Sequence, residues 1–312
     1  MVLDGRQSYG SATQTAVHND FRLPVCHQRY MVLTTKTKIA LAAIAYRTIA
    51  TGRAIVGKSD SAKVRRGGVQ WCLDLNEGID FSIYLLGAFE RSTHATLQKL
   101  VKSGDIVFDI GANIGAHTLG LAKSVGPAGK VYAFEPTDVA FRKLKQNLAL
   151  NPDLEMCTGA HQILLADKPT ARSEREIYAS WPLKTQDSVH PKHRGRLTTA
   201  LHATVDTLDG FVGRESIDRL NLMKIDVDGH EYSVLKGAVK TLTKFQPVLV
   251  MEMSPYVHEE REHGFDALVG LLRDVGYTLQ DASTWRPLPL RTDELEALIP
   301  DGASINVIAR AK

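Results

Sequence analysis

The 312-residue chain has no uninterrupted run of 18 apolar residues, so no segment is long and apolar enough to cross a membrane as a helix. It has only three cysteines, Cys26, Cys72 and Cys157, far apart and without a C-x-x-C pair. That speaks against a structural zinc site and a disulfide-stapled scaffold, and suits a reducing compartment. Excess charge is small: 38 Lys and Arg against 35 Asp and Glu leave a net +3, too little to argue for nucleic acid as a partner. The opening stretch MVLDGRQSYGSATQTAVHND lacks the apolar core of a signal peptide, and the expectation is a cytoplasmic protein. Internal repeats and low-complexity tracts are absent too. What is present is an ordinary globular composition, 44% hydrophobic and 23% charged, which excludes collagen and disorder throughout. The length fits one α/β domain of about 200–250 residues with an appendage.

Two regions follow from the patterning: a leader with an amphipathic helix over residues 1–60 and a domain over 61–312. Residues 1–35 show no sustained period and read as a loose arm. From Lys36 to Gly57, Ile39, Ala42, Ala43, Tyr46, Ile49 and Ala50 recur at three- and four-residue steps, which predicts an amphipathic helix. Residues 21–59 hold no Asp or Glu but seven Lys and Arg. Such a helix either packs on its own domain, the commoner use, or makes peripheral contact with an anionic membrane through residues 36–57.

Residues 62–86 read as short strands, Ala62–Arg65 and Val69–Leu75 joined by Gly67-Gly68, and Ser92–Lys102 as a helix. Strands and helices then alternate. Strands are predicted at Ile106–Ile110, Lys130–Phe134, His161–Leu165, Leu220–Val227, Val248–Met253, Thr278–Asp281 and Ile305–Ala309. Helices are predicted after Ile110 to about Val125 and at Asp138–Leu150, Glu231–Lys244 and Phe265–Val275. The pattern predicts an α/β fold, a mostly parallel sheet covered on both faces. The alternation lapses between Lys168 and Thr204, where Trp181, His190, Lys192, His193, Arg194 and Arg196 suggest a binding loop for anionic or glycosidic groups.

The chemistry centres on Asp109-Ile110-Gly111-Ala112-Asn113-Ile114-Gly115, an apolar strand running into two glycines. In a doubly wound sheet the ligand crevice lies at the carboxyl end of such a strand. Asn113 stands where the middle glycine of a dinucleotide fingerprint would be, which speaks against a nicotinamide enzyme, and no P-loop lysine follows. A carboxylate at Asp109 is awkward beside phosphates but suits an ammonium group. The second strand ends in Glu135, placed to accept hydrogen bonds from a ribose diol. Together they describe a pocket for an adenosine that carries a zwitterionic amino acid and no phosphate, namely S-adenosylmethionine. Asp109, Gly111, Asn113, Gly115 and Glu135 are its expected binding residues, and Asp167 is a candidate partner for the adenine amino group.

These residues, with Phe134-Glu135-Pro136, Asn147 and Asn151, resemble the FkbM family of S-adenosylmethionine-dependent methyltransferases. Further similar segments are Gly78-Ile79-Asp80, Gly87-Ala88-Phe89-Glu90, Val205-Asp206-Thr207-Leu208-Asp209 and Lys224-Ile225-Asp226-Val227-Asp228-Gly229-His230-Glu231 with Val234–Ala238. The resemblance runs from about Arg66 to Ala309. The family pattern usually has Glu at Asp228 and a small residue at His230. The resemblance implies a Rossmann-like class I methyltransferase fold, a seven-stranded sheet with six strands parallel and one reversed. It also implies methyl transfer usually to oxygen of sugars or natural products, and a role for Glu90 in closing the methionine side of the pocket.

Read without the resemblance, the strand ending near Val227 puts Lys224, Asp226 and Asp228 on one face if it stays extended. A hydroxyl attacks a sulfonium methyl only when its proton can leave, and a carboxylate or histidine in reach can take it. Asp226, Asp228 and His230 are the catalytic candidates. Asp226 or Asp228 with Glu252 is a sharper variant in which a divalent metal holds the acceptor hydroxyl. His258 and His263 read as part of a solvated acidic segment. The expected activity is O-methylation of a small-molecule or glycosidic acceptor. Transfer to nitrogen of a small molecule or peptide, and a non-catalytic cofactor-binding protein, are its alternatives.

Overall fold

A computed structural model describes residues 35–169, 176–179, 196–258 and 263–312, together with Met1 and Leu183. Helix α1 (Thr35–Ile55) leads into the hairpin β1 (Ser61–Arg66) and β2 (Val69–Asp74), then α2 (Gly78–Leu86) and α3 (Arg91–Leu100). Alternation sets in with β3 (Ile106–Ile110), α4 (Thr118–Val125), β4 (Lys130–Phe134), α5 (Asp138–Ala149), α6 (Pro152–Met156) and β5 (Thr158–His161). The short strands β6 (Ile163–Leu165), β7 (Glu176–Ala179), β8 (Arg196–Thr199) and β9 (Thr204–Asp206) precede α7 (Leu208–Arg214). Next come β10 (Leu222–Ile225), α8 (Glu231–Lys236), α9 (Val239–Phe245) and β11 (Val248–Met253). The chain closes with α10 (Pro255–His258), α11 (Phe265–Asp274), β12 (Tyr277–Asp281), β13 (Pro287–Leu288), α12 (Thr292–Glu296) and β14 (Ile305–Ala311).

The main sheet has the order β13-β12-β14-β11-β10-β3-β4-β5. Strands β5, β4, β3, β10 and β11 run parallel, and β14 is reversed between β11 and β12. That is the expected pattern of six strands one way and one reversed, with the two-residue β13 added at the β12 edge. The central strands have side chains buried on both faces: every residue of β10 is buried. One core cluster, built on Phe108, Phe134, Phe211 and Leu235, packs α7, α8, α9 and α11 against the sheet. A second, around Trp71, Leu73, Phe81, Ile114, Leu119 and Leu144, joins the hairpin and α2 to α4 and α5. Because β3 pairs with β4 on one side and β10 on the other, the chain reverses its winding there, and the carboxyl ends of the strands open a crevice at that point.

Several elements differ from expectation for identifiable reasons. Residues 78–86 are helical, not strand; Ile79, Phe81 and Ile83 alternate in sequence, but Asp80 between them is also buried and accepts a hydrogen bond from the Asp74 amide. The third sheet strand is Thr158–His161 rather than His161–Leu165. At Gln162, whose amide nitrogen donates to Asp138 at 2.7 Å, the chain leaves the sheet, and Ile163–Leu165 pair instead with β9. The helix expected over Glu231–Lys244 breaks at Gly237, where a Cβ would lie 2.1 Å from the Ala166 carbonyl oxygen. The edge of β2 is closed by side chains: Asn147 accepts from the Cys72 amide, and Asn151 both accepts from and donates to the Gln70 backbone. These are structural duties for two residues of the family-like pattern.

Helix α1 docks through the face its period predicts. Tyr46 is buried and meets the Phe81 ring edge-on at 5.7 Å, with Ala42, Ala45, Ile49 and Ala50 packed alongside. Arg53 donates to the Ser59 and Ser61 carbonyls, and Leu41, Ile44 and Ile55 on the remaining surface face solvent. Trp181, His190, Lys192, His193 and Arg194, and the arm ahead of α1, lie outside the described residues, as does the side chain of Arg196.

Candidate active site

A cavity of about 1110 Å³, counted with its open mouth, occupies the crevice. The ends of β3, β4, β10 and β11 supply its floor through Gly111, Glu135, Asp226 and Glu252, and Phe89 and Glu90, ahead of α3, line it as well. Its lining includes seven of the ten residues expected from sequence: Glu90, Gly111, Asn113, Glu135, Asp226, Asp228 and His230. Asp109, Gly115 and Asp167 are not in the lining.

The turn after β3 is held from below. Gly111 and Ala112 donate to the Phe134 carbonyl at 3.0 and 2.9 Å. Gly111 has φ +78°, and a Cβ there would sit 1.9 Å from the Asp226 carbonyl oxygen. Its lack of a side chain is thus demanded by the neighbouring β10 loop. Gly115 serves packing: a Cβ would lie 2.9 Å from Leu144. Asp109 is fully buried beneath the turn, where Thr118 donates to it at 2.6 Å and the Lys224 ammonium stands 3.3 Å away. An ammonium does meet Asp109, but it belongs to the protein.

Lys224 organises this floor. Its Nζ donates to the Gly111 carbonyl at 2.8 Å and lies 3.6 Å from Asp226. Burial opposes its charge, yet Asp109 and Asp226 outweigh that and hold the amine above its ordinary range. Burial also raises the carboxyl of Asp226 above its usual 3.8; Lys224 opposes this and the charges of Glu231 and Asp109 add to it. Glu252 is pushed up further still, by burial and then by Asp226, Glu90 and Asp228, against a hydrogen bond from Ser304. Asp228 turns with φ +49°, so it reaches the cavity by a backbone turn and not by continued strand alternation.

Glu135 is nearly saturated by its own neighbours. Oε2 accepts from the Asn113 amide at 2.9 Å, while Oε1 accepts from the Thr137 amide at 2.9 Å and its hydroxyl at 2.5 Å. Of about four lone-pair sites on a carboxylate, one remains. Asp167 follows β6, outside the main sheet, and its amide donates to the Ser233 hydroxyl at 3.1 Å. The cavity wall on that side is instead apolar, made by Ile163, Leu164 and Leu165. Among the described residues no group of three His, Cys, Asp or Glu is placed to hold a metal ion; Asp226, Asp228 and Glu252 all line the cavity.

Sequence reasoning missed a buried pair under the β10 loop. Glu231 Oε1 accepts from the Val227 and Gly229 amides at 3.2 and 3.3 Å, and Oε2 lies 3.2 Å from His258 Nε2. His258, expected in solvent, is buried; the α10 turn after β11 carries it inward against Phe265. Burial alone would raise Glu231, but His258 and the loop amides hold it below its usual 4.5. Its stabilising contribution is therefore present above pH 4.5 and is lost as pH falls through the depressed native value. Glu231→Gln is expected to cost about 1–3 kcal/mol in urea unfolding at pH 7 and to flatten the acid limb of stability. Equal stability of variant and wild type across that limb would remove the loop-holding role.

The mostly parallel sheet with one reversed strand, and a crevice at its switch point ending in Gly111, Glu135 and Asp226, define a Rossmann-like class I methyltransferase fold. The Methyltransferase FkbM domain matches residues 109–279, and the chain belongs to that family. Hexuronic acid methyltransferase AglP of Haloferax volcanii is 25% identical over 163 residues, 52% of this chain and 61% of the relative. The 31-O-demethyl-FK506 methyltransferase FkbM of Streptomyces tacrolimicus is 27% identical over 207 residues, 57% of this chain and 75% of the relative. The chain spans 61% of the length of AglP and 57% of that of Methyltransferase 1 from Beauveria bassiana. Among solved structures, Methyltransferase FkbM from Methylobacillus flagellatus KT aligns with a TM-score of 0.40 and 20% identity, over 66% of this chain and 43% of that one.

Proposed function

We propose that the protein binds S-adenosylmethionine and directs its methyl group to a hydroxyl of a sugar or secondary metabolite. The observation that carries this reading is the pair Asp226 and Asp228 in the wall of one cavity with Glu135 and Asn113, so that a proton acceptor and a ribose-type site share a single crevice. The names of two relatives, one acting on a hexuronic acid and one on 31-O-demethyl-FK506, support an oxygen acceptor. Residues 61–312 would form the catalytic domain, with residues 1–60 as a leader.

The residues present fit this cofactor. Glu135 keeps one free acceptor site and Thr137 stands beside it, suited to a ribose hydroxyl. Ile163 and Leu165 offer an apolar wall to a flat base, and Glu90 and Asp228 offer carboxylates to an ammonium. When bound, S-adenosylmethionine supplies a methyl group activated by its sulfonium. Asp226 then takes the acceptor proton, helped by a burial-raised pKa that makes it a stronger base than a solvated aspartate. The second reading is transfer to nitrogen, favoured by the acidic lining from Glu90, Asp226, Asp228 and Glu252, which would attract a cationic acceptor.

Two measurements test the proposal. Calorimetry should detect S-adenosylmethionine binding, and Glu135→Gln should weaken it by about 1–3 kcal/mol; unchanged affinity moves the ribose elsewhere. A screen of hydroxylated and amine acceptors with labelled methyl donor, read by product mass, should yield O-methyl products. Products methylated only at nitrogen would overturn the oxygen reading. Binding without product from any acceptor would support a non-catalytic protein.

A further inference from the structure

His117 stands at the start of α4 and lines the same cavity. It is 3% exposed, and neither ring nitrogen has a hydrogen-bond partner among the described residues. Its ring has two ring neighbours, Phe89 of the cavity wall at 6.1 Å and the stacked ring of His94 at 6.4 Å. Leaving a buried N–H unpaired is costly, so a ring held this way calls for a partner that enters with a ligand. Burial and the nearby Lys224 charge lower its pKa to about 3, so the imidazole is neutral and presents one N–H donor at any physiological pH.

The charges around the cavity select which ligand group that donor meets. Asp226, Asp228, Glu252 and Glu90 form an acidic lining that repels an anion. Lys224, the buried cation of the lining, is engaged by the Gly111 carbonyl, Asp109 and Asp226. The first turn of α4 carries partial positive charge, which adds to the pull of the His117 N–H on an anionic group. S-adenosylmethionine has one anionic group, its amino-acid carboxylate. Resting on the cofactor reading above, we propose that His117 is the binding residue for that carboxylate, donating one ring N–H to it at the start of α4. The acidic lining is left to the ammonium end.

Calorimetry with two ligands tests this: S-adenosylmethionine, and its decarboxylated analogue S-adenosylmethioninamine, which lacks only the carboxylate. The full-length wild type should bind S-adenosylmethionine roughly ten-fold or more tightly than the analogue. His117→Phe keeps the ring and loses the donor; it should weaken S-adenosylmethionine roughly ten-fold and leave the analogue within about two-fold. His117→Asn retains an N–H and should recover part of the loss; it also serves if the Phe variant does not fold. Equal losses for both ligands, or wild-type affinity for S-adenosylmethionine in the Phe variant, would overturn the assignment. A wild type that binds neither ligand overturns the cofactor reading itself, so the two failures are told apart.

Discussion

Asp226→Asn is expected to cut turnover by about 10²–10⁴-fold while S-adenosylmethionine binds nearly as before. The substitution keeps size and shape and leaves an oxygen that can still accept from Lys224, 3.6 Å away in the native protein. What it removes is the basic oxygen at the carboxyl end of β10. Burial raises the pKa of Asp226 from its usual 3.8, so in the wild type activity should climb as pH rises through that raised value. The variant should lose both the rate and that acid limb, a combination a merely structural change would not produce. Asp228→Asn and His230→Ala test its two neighbours in the cavity wall. If all three variants turn over like the wild type, acid–base catalysis is excluded, and rate enhancement rests on alignment and exclusion of water.

Lys224→Met should cost about 3–5 kcal/mol of stability, measured by urea unfolding with the slope held constant. The reason is not the worth of the ion pairs but what their loss leaves behind. Asp109 is fully buried, with Thr118 and Lys224 as its side-chain partners, and Asp226 is half-buried across from it. Without the ammonium, a buried charge stands uncompensated and the carbonyl of Gly111 loses its donor. Adding Asp109→Asn to Lys224→Met should recover a substantial part of the loss, because the orphaned charge goes with it. A single-variant loss below about 1 kcal/mol would show that water reaches Asp109, since a buried carboxylate stripped of its partner costs several times that.

The site was legible in proportion to how local its logic is. Gly111 and Gly115 could be found as glycines required by a turn, but the neighbours that also require them could not. One is the carbonyl of Asp226, over a hundred positions away, and the other is Leu144 on α5. Asp109 was readable as a carboxylate that wants an ammonium; that the ammonium is Lys224 depends on β3 and β10 lying side by side. His117 carried no sequence signal beyond its position in the glycine turn, since a histidine after Gly115-Ala116 has no periodic or motif signature. Its meaning comes from burial without a partner. His258 reads as solvated because the residues around it in sequence are acidic, whereas α10 folds it against Glu231 and Phe265.

Strand and helix alternation, the two strand-end carboxylates and the glycine turn were determined by the sequence alone, because side-chain period, turn chemistry and strand polarity are local and survive without long-range contacts. From them came the α/β class, the crevice and seven of the residues that line it. Tertiary structure alone decided the rest. It moved the third strand to Thr158–His161 and took Asp167 out of the crevice, because pairing of Ile163–Leu165 with β9 competes with extension of the main sheet. It also turned Asp109 from a ligand contact into the buried partner of Lys224, because a charge without water must be matched by whatever neighbour the sheet order brings beside it.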